Sequence, residues 1–464
     1  MQRCEVPFGW VRNVLVQSPR LETSERAHSV GVSAGLARTL RAFHKMGNLR
    51  FAPELVIYLP VSYFSSPQGE TVMTDVIQEP KEILIGIEEI LGHFQSLEDP
   101  REPINIRHPL VSVVVIAVMA VLSGASGPTS IALWALKKSD MLLRVLSLPN
   151  GIPRKDVFRR VLSALKPAAF QSCFGNWINS LYIRAAEATG QTQPIFAVDG
   201  KTLRRSHDHA NGIGPLHSVT VWASDFGITL AQVATDLKSN EITAIPKVLT
   251  LINLEGAIIT IDAMGTQREI AKQIIEGGGG YVLALKGNQE TLFQGVVDYI
   301  DEQLENDFAD VDARRCETEE TGHGRIEKRL YVQMPAPATL PGFERWAGLL
   351  TIGIAMLTCI RNGKETYECR YFISSLGMGV KLFARAVRSH WGIENGCHWT
   401  LDVTYREDES RIRGLYVREN MAWLNRFTLS LLKQHKNKKS VAMNRLNCGW
   451  DEQDMLAILT GVTL

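Results

Sequence analysis

At Pro194 the hydrophobic pattern of the chain changes period, and that switch constrains the fold more than any other feature. Upstream, from about 80 to 190, apolar residues recur at helical spacing. Ile83, Ile85, Ile87, Ile90 and Leu91 open this tract, Asp99-Pro-Arg-Glu-Pro breaks it, and helical patterns resume over 109–123, 129–137, 156–162 and 168–189. Downstream, short β-rich runs alternate with helices. Strand 195–198 precedes a hairpin of 218–223 and 229–235 around Asp225-Phe-Gly. Helix 241–251, strand 257–261, helix 266–276 and strand 281–285 follow. This order predicts an α/β core with a mixed sheet. After a helix over 289–305, further strands are predicted at 329–333, 349–358 and 366–373, before helices resume at Val380. The expected organisation is a poorly ordered extension over 1–79, an all-α domain over 80–190, and an α/β domain over 191–464 with a β-rich insertion at about 306–376. Within the extension, Leu55-Val-Ile-Tyr-Leu is strand-like, and Met73 offers a second start.

Bulk properties exclude several classes. A chain of 464 residues exceeds one ordinary core, so two or three domains are expected. Hydrophobic content of 45% and charged content of 21% fit a globular protein. The net charge of +1 exerts no global pull on nucleic acid, so any basic surface must be local. Residues 385–445 supply one, with twelve Lys/Arg against six Asp/Glu. Seven cysteines without a Cys-x-x-Cys pair argue against a disulfide framework or thiolate zinc site and fit a reducing cytosol. The N-terminus lacks the basic-then-apolar order of a signal peptide, which fits a cytoplasmic location. The apolar run from Pro109 to Gly124 falls short of the roughly 20 residues a bilayer needs, and predicts a buried helix.

Three acids stand in distinctive frames. Asp199 ends the apolar run Ile195-Phe-Ala-Val, and Asp262 ends Ala257-Ile-Ile-Thr-Ile. If the two strands are neighbours, the carboxylates lie side by side and repel unless a cation comes between them. Oxygen ligands with no Cys or His nearby favour Mg²⁺ or Mn²⁺ over zinc. Taken singly, each aspartate reads as a turn residue or helix cap. Glu394 lies in His390-Trp-Gly-Ile-Glu-Asn, on a helix predicted over 382–401 and at the border of its apolar side. At four-residue spacing, His390, Glu394, His398 and Asp402 would stack on one face, as a metal site or as a polar stripe beside the core. Two nucleotide-binding look-alikes fail. Gly200-Lys-Thr lacks the earlier glycine of a phosphate loop, since position 195 is Ile. Gly277 to Gly280 precede a strand, so they read as a turn.

Several blocks, in order, carry a family resemblance. They are Ala197-Val-Asp-Gly-Lys-Thr-Leu-Arg, Lys238-Ser-Asn-Glu-Ile-Thr-Ala-Ile-Pro, Thr260-Ile-Asp-Ala-Met-Gly-Thr-Gln and Ala284-Leu-Lys-Gly-Asn-Gln. His323-Gly-Arg-Ile-Glu, His390-Trp-Gly-Ile-Glu-Asn and Asp402-Val-Thr-Tyr-Arg-Glu-Asp continue them. With these the chain resembles the DDE-class insertion-sequence transposases of the H-repeat-associated (ISAs-type) group from about residue 80 onward. Leu91-Gly-His-Phe and Asp99-Pro-Arg resemble the domain that accompanies that family. The resemblance implies a ribonuclease-H-like core in which Asp199, Asp262 and Glu394 hold Mg²⁺, or Mn²⁺ in its place. It implies double-stranded DNA, both element ends and target, as partner, a homodimer on paired ends, and joining of 3′ ends to target. The 63 residues from Asp199 to Asp262 and the 132 from Asp262 to Glu394 suit a β-rich insertion before the glutamate.

Lys201, Lys286, His323, Arg325, Arg388 and His390 are candidates for contacting DNA phosphates, or else structural ion-pair partners. Asp402 and Glu407 rival Glu394 as third carboxylate. The region 80–190 is the expected end-recognition domain. Two departures from the family pattern are Arg205, where Gly is expected, and Gly396-Cys397, where Ser-Leu is usual. A glycine in that helix costs about 1 kcal/mol relative to Ala. These departures keep open a decayed copy that only binds DNA; a Mg²⁺-dependent nuclease without strand transfer is a third reading.

Overall fold

The computed structural model describes residues 81–462 except 191–192, 236–240, 323 and 436; the side chain of Asn105 is also left out. The expected extension over 1–79, with its strand-like run and Met73, lies outside the described residues. Among the described residues six helices come first: α1 Lys81–His93, α2 Leu110–Leu122, α3 Pro128–Lys137, α4 Ser139–Val145, α5 Lys155–Ala164 and α6 Pro167–Thr189. In α2 the run Leu-Val-Ser-Val-Val-Val-Ile is rich in β-branched residues and has weak helix propensity. Every residue of α2 except Val111 is buried, so packing on all sides overrides propensity. No helix among the described residues is long and apolar enough to cross a membrane.

One nine-stranded sheet follows. Its strands are β1 Ile195–Leu203, β2 Leu216–Ala223, β3 Ile228–Ala234, β4 Ile258–Ile261, β5 Gly280–Leu285, β6 Arg314–Gly322, β7 Arg325–Pro335, β8 Thr351–Arg361 and β9 Lys364–Ser374. Helices α7 Glu241–Leu249, α8 Arg268–Glu276 and α9 Glu290–Glu305 connect them. The spatial order is β3-β2-β1-β4-β5-β9-β8-β7-β6. β1, β4 and β5 are parallel, and every other neighbouring pair is antiparallel.

Two strand expectations change here, and the β-rich segment gains a place in the sheet. The β-rich segment extends the central sheet directly, because β9 pairs with β5 from Val282↔Ser374 to Leu285↔Tyr371. β1 runs on from Val198 to Leu203, since β2 pairs with it as far as Leu203↔Leu216. β6 is a strand that periodicity misses, because Arg-Arg-Cys-Glu-Thr-Glu-Glu-Thr-Gly is exposed along almost its whole length.

The chain ends in helices: α10 Val380–Gly392, a π-helical turn Ile393–His398, α11 Trp399–Val403, α12 Leu415–Gln434, α13 Val441–Trp450 and α14 Glu452–Thr460. α10 lies across the sheet with the Phe383 ring edge-on to Phe372 at 5.7 Å. Position 353 must be glycine there, because a Cβ would stand 2.5 Å from the Phe383 ring. α12 is mostly buried and joins the first helices to the sheet. Its Asn420 Nδ2 donates to the carbonyls of Leu162 and Leu165, and its Phe427 ring packs on Phe174 and Trp177. On the sheet side, the Thr229 amide of β3 donates to Ser430 Oγ at 3.0 Å.

Candidate active site

The apolar runs Ile195-Phe-Ala-Val and Ile258-Ile-Thr-Ile are wholly buried and pair in parallel, ending at Val198↔Ile261. The next residue on each strand is Asp199 and Asp262, so strand register sets the two carboxylates side by side. Asp262 ends its strand as expected, whereas Asp199 lies within β1 and pairs with Thr220 of β2. The Gly265 amide donates to Asp262 Oδ1 at 3.1 Å. Thr266 Oγ1 donates to the carbonyls of Asp262 and Ala284, fixing the turn that carries Asp262.

The two acids titrate in opposite directions. Burial and the charges of Asp199 and Glu241 push the Asp262 carboxyl above the ordinary aspartate range. Burial pushes Asp199 the same way, but the hydrogen bond from His398 and the charges of His398 and His390 outweigh it and hold Asp199 low. His398 Nδ1 stands 3.3 Å from Asp199 Oδ2.

Glu394 sits on the π-helical turn, where the Trp399 amide bonds the Glu394 carbonyl five residues back. A π turn takes in an extra residue, so the predicted four-residue stack breaks between Glu394 and His398. His398 and Asp402 face β1. Glu394 is exposed and lines a cleft with Trp391, Arg325, Arg329, Arg370 and Arg388. Arg370 lies over the Trp391 ring at 4.1 Å. One turn before Glu394, His390 Nδ1 is 3.1 Å from Thr260 Oγ1 of β4. Burial holds its imidazole below the ordinary range, although Asp199, Asp262 and Glu394 all pull it upward. His390 therefore lies within electrostatic reach of all three acids.

A ladder of side-chain pairs ties β1 and its exit to the Glu394 helix and the turn that follows it. Its rungs are Asp199–His398, then Lys201–Asp402 at 2.6 Å, then Arg204–Asp408 at 3.3 Å. Lys201, raised as a phosphate contact, is buried and tied to Asp402 and Asp408, so the structure gives it an internal ion-pair role. Asp402 is the partner of that lysine. Glu407 and Arg426 are fully buried and paired at 3.0 Å, which seats Glu407 in the core as the partner of that arginine. Lys286 is exposed just past β5, and the adjoining Gln289 Nε2 donates to the Thr266 carbonyl. Arg325 is paired with Glu327, and Arg388 with Glu320. His323 lies outside the described residues.

Residues 190–432 match the family described as Transposase DDE domain, and residues 91–178 match the one described as DDE_Tnp_1-associated. The chain belongs to the DDE transposase family. YhhI of Escherichia coli K12, whose name places it among H repeat-associated transposases, is 32% identical over 382 residues, spanning 81% of this chain and 98% of YhhI. YncI of E. coli O157:H7, also named as a transposase, is 34% identical over 374 residues, or 78% of this chain and 93% of YncI. A piggyBac transposase synaptic complex with hairpin DNA covers 84% of the chain and 83% of its own at 11% identity, but its TM-score of 0.36 carries no argument.

In this DDE-family chain the donors fit a hard divalent cation in part. Asp199 and Asp262 present oxygen ligands side by side, and the raised Asp262 marks a place short of positive charge. Among the described residues, no three His, Cys, Asp or Glu side chains converge closely enough to hold a metal ion. Residue patterns alone miss the Asp199–His398 pair, the Thr260–His390 contact and the Arg370–Trp391 stack. Thr260 and His390 both lie inside family blocks, His398 falls just after one, and Arg370 meets Trp391 only because α10 packs on the sheet.

Proposed function

We propose that this DDE-family transposase binds the ends of an insertion sequence, cleaves them, and joins the 3′ ends to target DNA on a ribonuclease-H-like core. The observation that carries this reading is the Val198↔Ile261 register, which puts Asp199 and Asp262 at adjacent positions of parallel strands. The order β3-β2-β1-β4-β5, with β1, β4 and β5 parallel, is the arrangement expected of that core.

Asp199, Asp262 and Glu394 would hold Mg²⁺ or Mn²⁺. Two such ions, when bound, stabilise the attacking and leaving oxygens of a phosphodiester displacement. The chain's own residues prepare the site. The Gly265 amide orients Asp262, His398 occupies Asp199 Oδ2, and Thr260 fixes the His390 ring among the acids. Glu394 is exposed on the cleft and, in this reading, joins the strand-end pair when DNA is present. Arg325, Arg388 and Lys286 are proposed phosphate contacts, and a homodimer on paired ends is the proposed assembly. Region 80–190 is proposed to read the element ends, in a bacterial cytoplasm.

The test is a supercoiled plasmid carrying the element ends, incubated with Mg²⁺. Nicking or joining at those ends is expected, with loss on Asp199→Ala, Asp262→Ala or Glu394→Ala while end binding persists. Full activity in Glu394→Ala would remove it as third ligand. End binding without cleavage would mark a decayed copy, and preferential cleavage of RNA would mark a nuclease.

A further inference from the structure

We propose that two loops beyond the end of β1, residues 204–215 and 404–414, form a ledge that binds the backbone of duplex DNA. Arg205, Arg411 and Arg413 are its phosphate contacts. The inference rests on the DNA-transposase reading and adds a surface to it.

Five exposed arginines, at 204, 205, 406, 411 and 413, crowd these two loops. Most of the neighbouring acids are already engaged. Asp408 lies between Lys201 and Arg204, Glu409 pairs with Arg406, and Glu407 is buried against Arg426. Asp208 faces Arg413, and among the described residues Arg205 and Arg411 have no ion-pair partner. Guanidinium groups suit phosphate oxygens because their planar fork can donate two hydrogen bonds at once.

The ledge is built, which reduces the ordering cost of binding. Arg418, itself buried, donates through Nη1 to the carbonyls of Ser206 at 3.2 Å and Gly214 at 2.7 Å. The Leu216 amide donates to Ser206 Oγ, and Asp208 bridges to Ile213 across the loop. Arg204 joins the first loop to the second through Asp408. Arg406 holds a left-handed backbone at φ 55°, a conformation non-glycine residues rarely adopt.

Position identifies the partner. Arg204 and Arg205 follow Asp199 by five and six residues on the same strand and its exit, about 15–20 Å at the usual strand rise. One DNA strand advances about 3.4 Å per nucleotide, so a duplex with its scissile phosphate at the carboxylates would cross the ledge about five base pairs away.

The experiment measures binding of the full-length chain to a labelled duplex of about 30 base pairs over a range of salt concentrations. Arg205→Ala/Arg411→Ala/Arg413→Ala should weaken binding tenfold or more and flatten the plot of log Kd against log salt by up to about 3, one per arginine. The triple Lys variant should keep most of the salt slope. Lys272→Ala/Arg345→Ala/Arg361→Ala, which removes exposed charges elsewhere, should bind like wild type. A triple Ala variant with an unchanged melting curve and wild-type affinity and slope would overturn the ledge while leaving the transposase reading intact. A wild-type chain that binds no duplex would overturn both.

Discussion

Replacing Glu407 by Gln should damage the fold before it touches the chemistry. The Glu407 and Arg426 side chains are both fully buried, with Nη1 3.0 Å from Oε1. Two unit charges at that distance attract by ~5 kcal/mol at an effective dielectric of ~20. Asn425 Nδ2 also donates to Oε1, and the carbonyl oxygen of a glutamine side chain could keep that contact, so the loss is electrostatic. The remaining partners of Arg426 are the Ala422 carbonyl and the hydroxyls of Thr220 and Ser218, all neutral. An unpaired buried guanidinium typically costs ~3–5 kcal/mol. For a chain of this size that is a fall of ~5 °C in Tm. Urea unfolding and a thermal melt measure it directly. Glu407→Leu/Arg426→Met should recover most of the loss, because a buried pair replaced whole is often close to neutral. If Glu407→Gln melts like wild type yet abolishes plasmid cleavage, the structural assignment fails and Glu407 returns as a candidate ligand.

Gly396→Ala should raise stability by ~0.4–1 kcal/mol in urea unfolding, since its Cβ would meet Trp222 at an ordinary 3.5 Å. Gly200→Ala should cost ~1–3 kcal/mol by the same measurement, because its Cβ would overlap the Glu241 carboxylate and break the His217–Glu241 pair. Asp262→Asn should raise Tm at neutral pH without divalent metal while eliminating cleavage. Folding raises the Asp262 carboxyl, so the folded chain holds that proton longer and stability drops as pH climbs above the unfolded value of about 3.9. The Asn variant should lose that part of the pH dependence, and Mg²⁺ should raise the Tm of wild type more than that of Asp262→Asn.

The residues that can be read from sequence are those whose surroundings are local. Asp199 and Asp262 stand out because four buried residues precede each charge, and burial is what makes those runs strands. β6 has no such mark: every residue but Cys316 is exposed, and the strand is held by its pairing with β7 and by contacts with α10 such as Glu320–Arg388. The length of β1 depends on β2, and Lys201 is neutralised by an aspartate 201 residues away. Pairings of that span leave no periodic trace. The stack His390, Glu394, His398, Asp402 has the right spacing for an α-helix. The chain departs from that geometry where Gly396 stands, and glycine is the one hint the sequence offers.

The π turn at 393–398 acts as a phase shifter. An α-helix advances about 100° per residue, so one additional residue in a turn rotates everything after it relative to everything before. That offset lets a single helical rod serve two directions: Glu394 looks into the arginine-lined cleft while His398 and Asp402 engage β1. A one-residue deletion at this turn would bring the two halves back into phase and force the rod to choose between them.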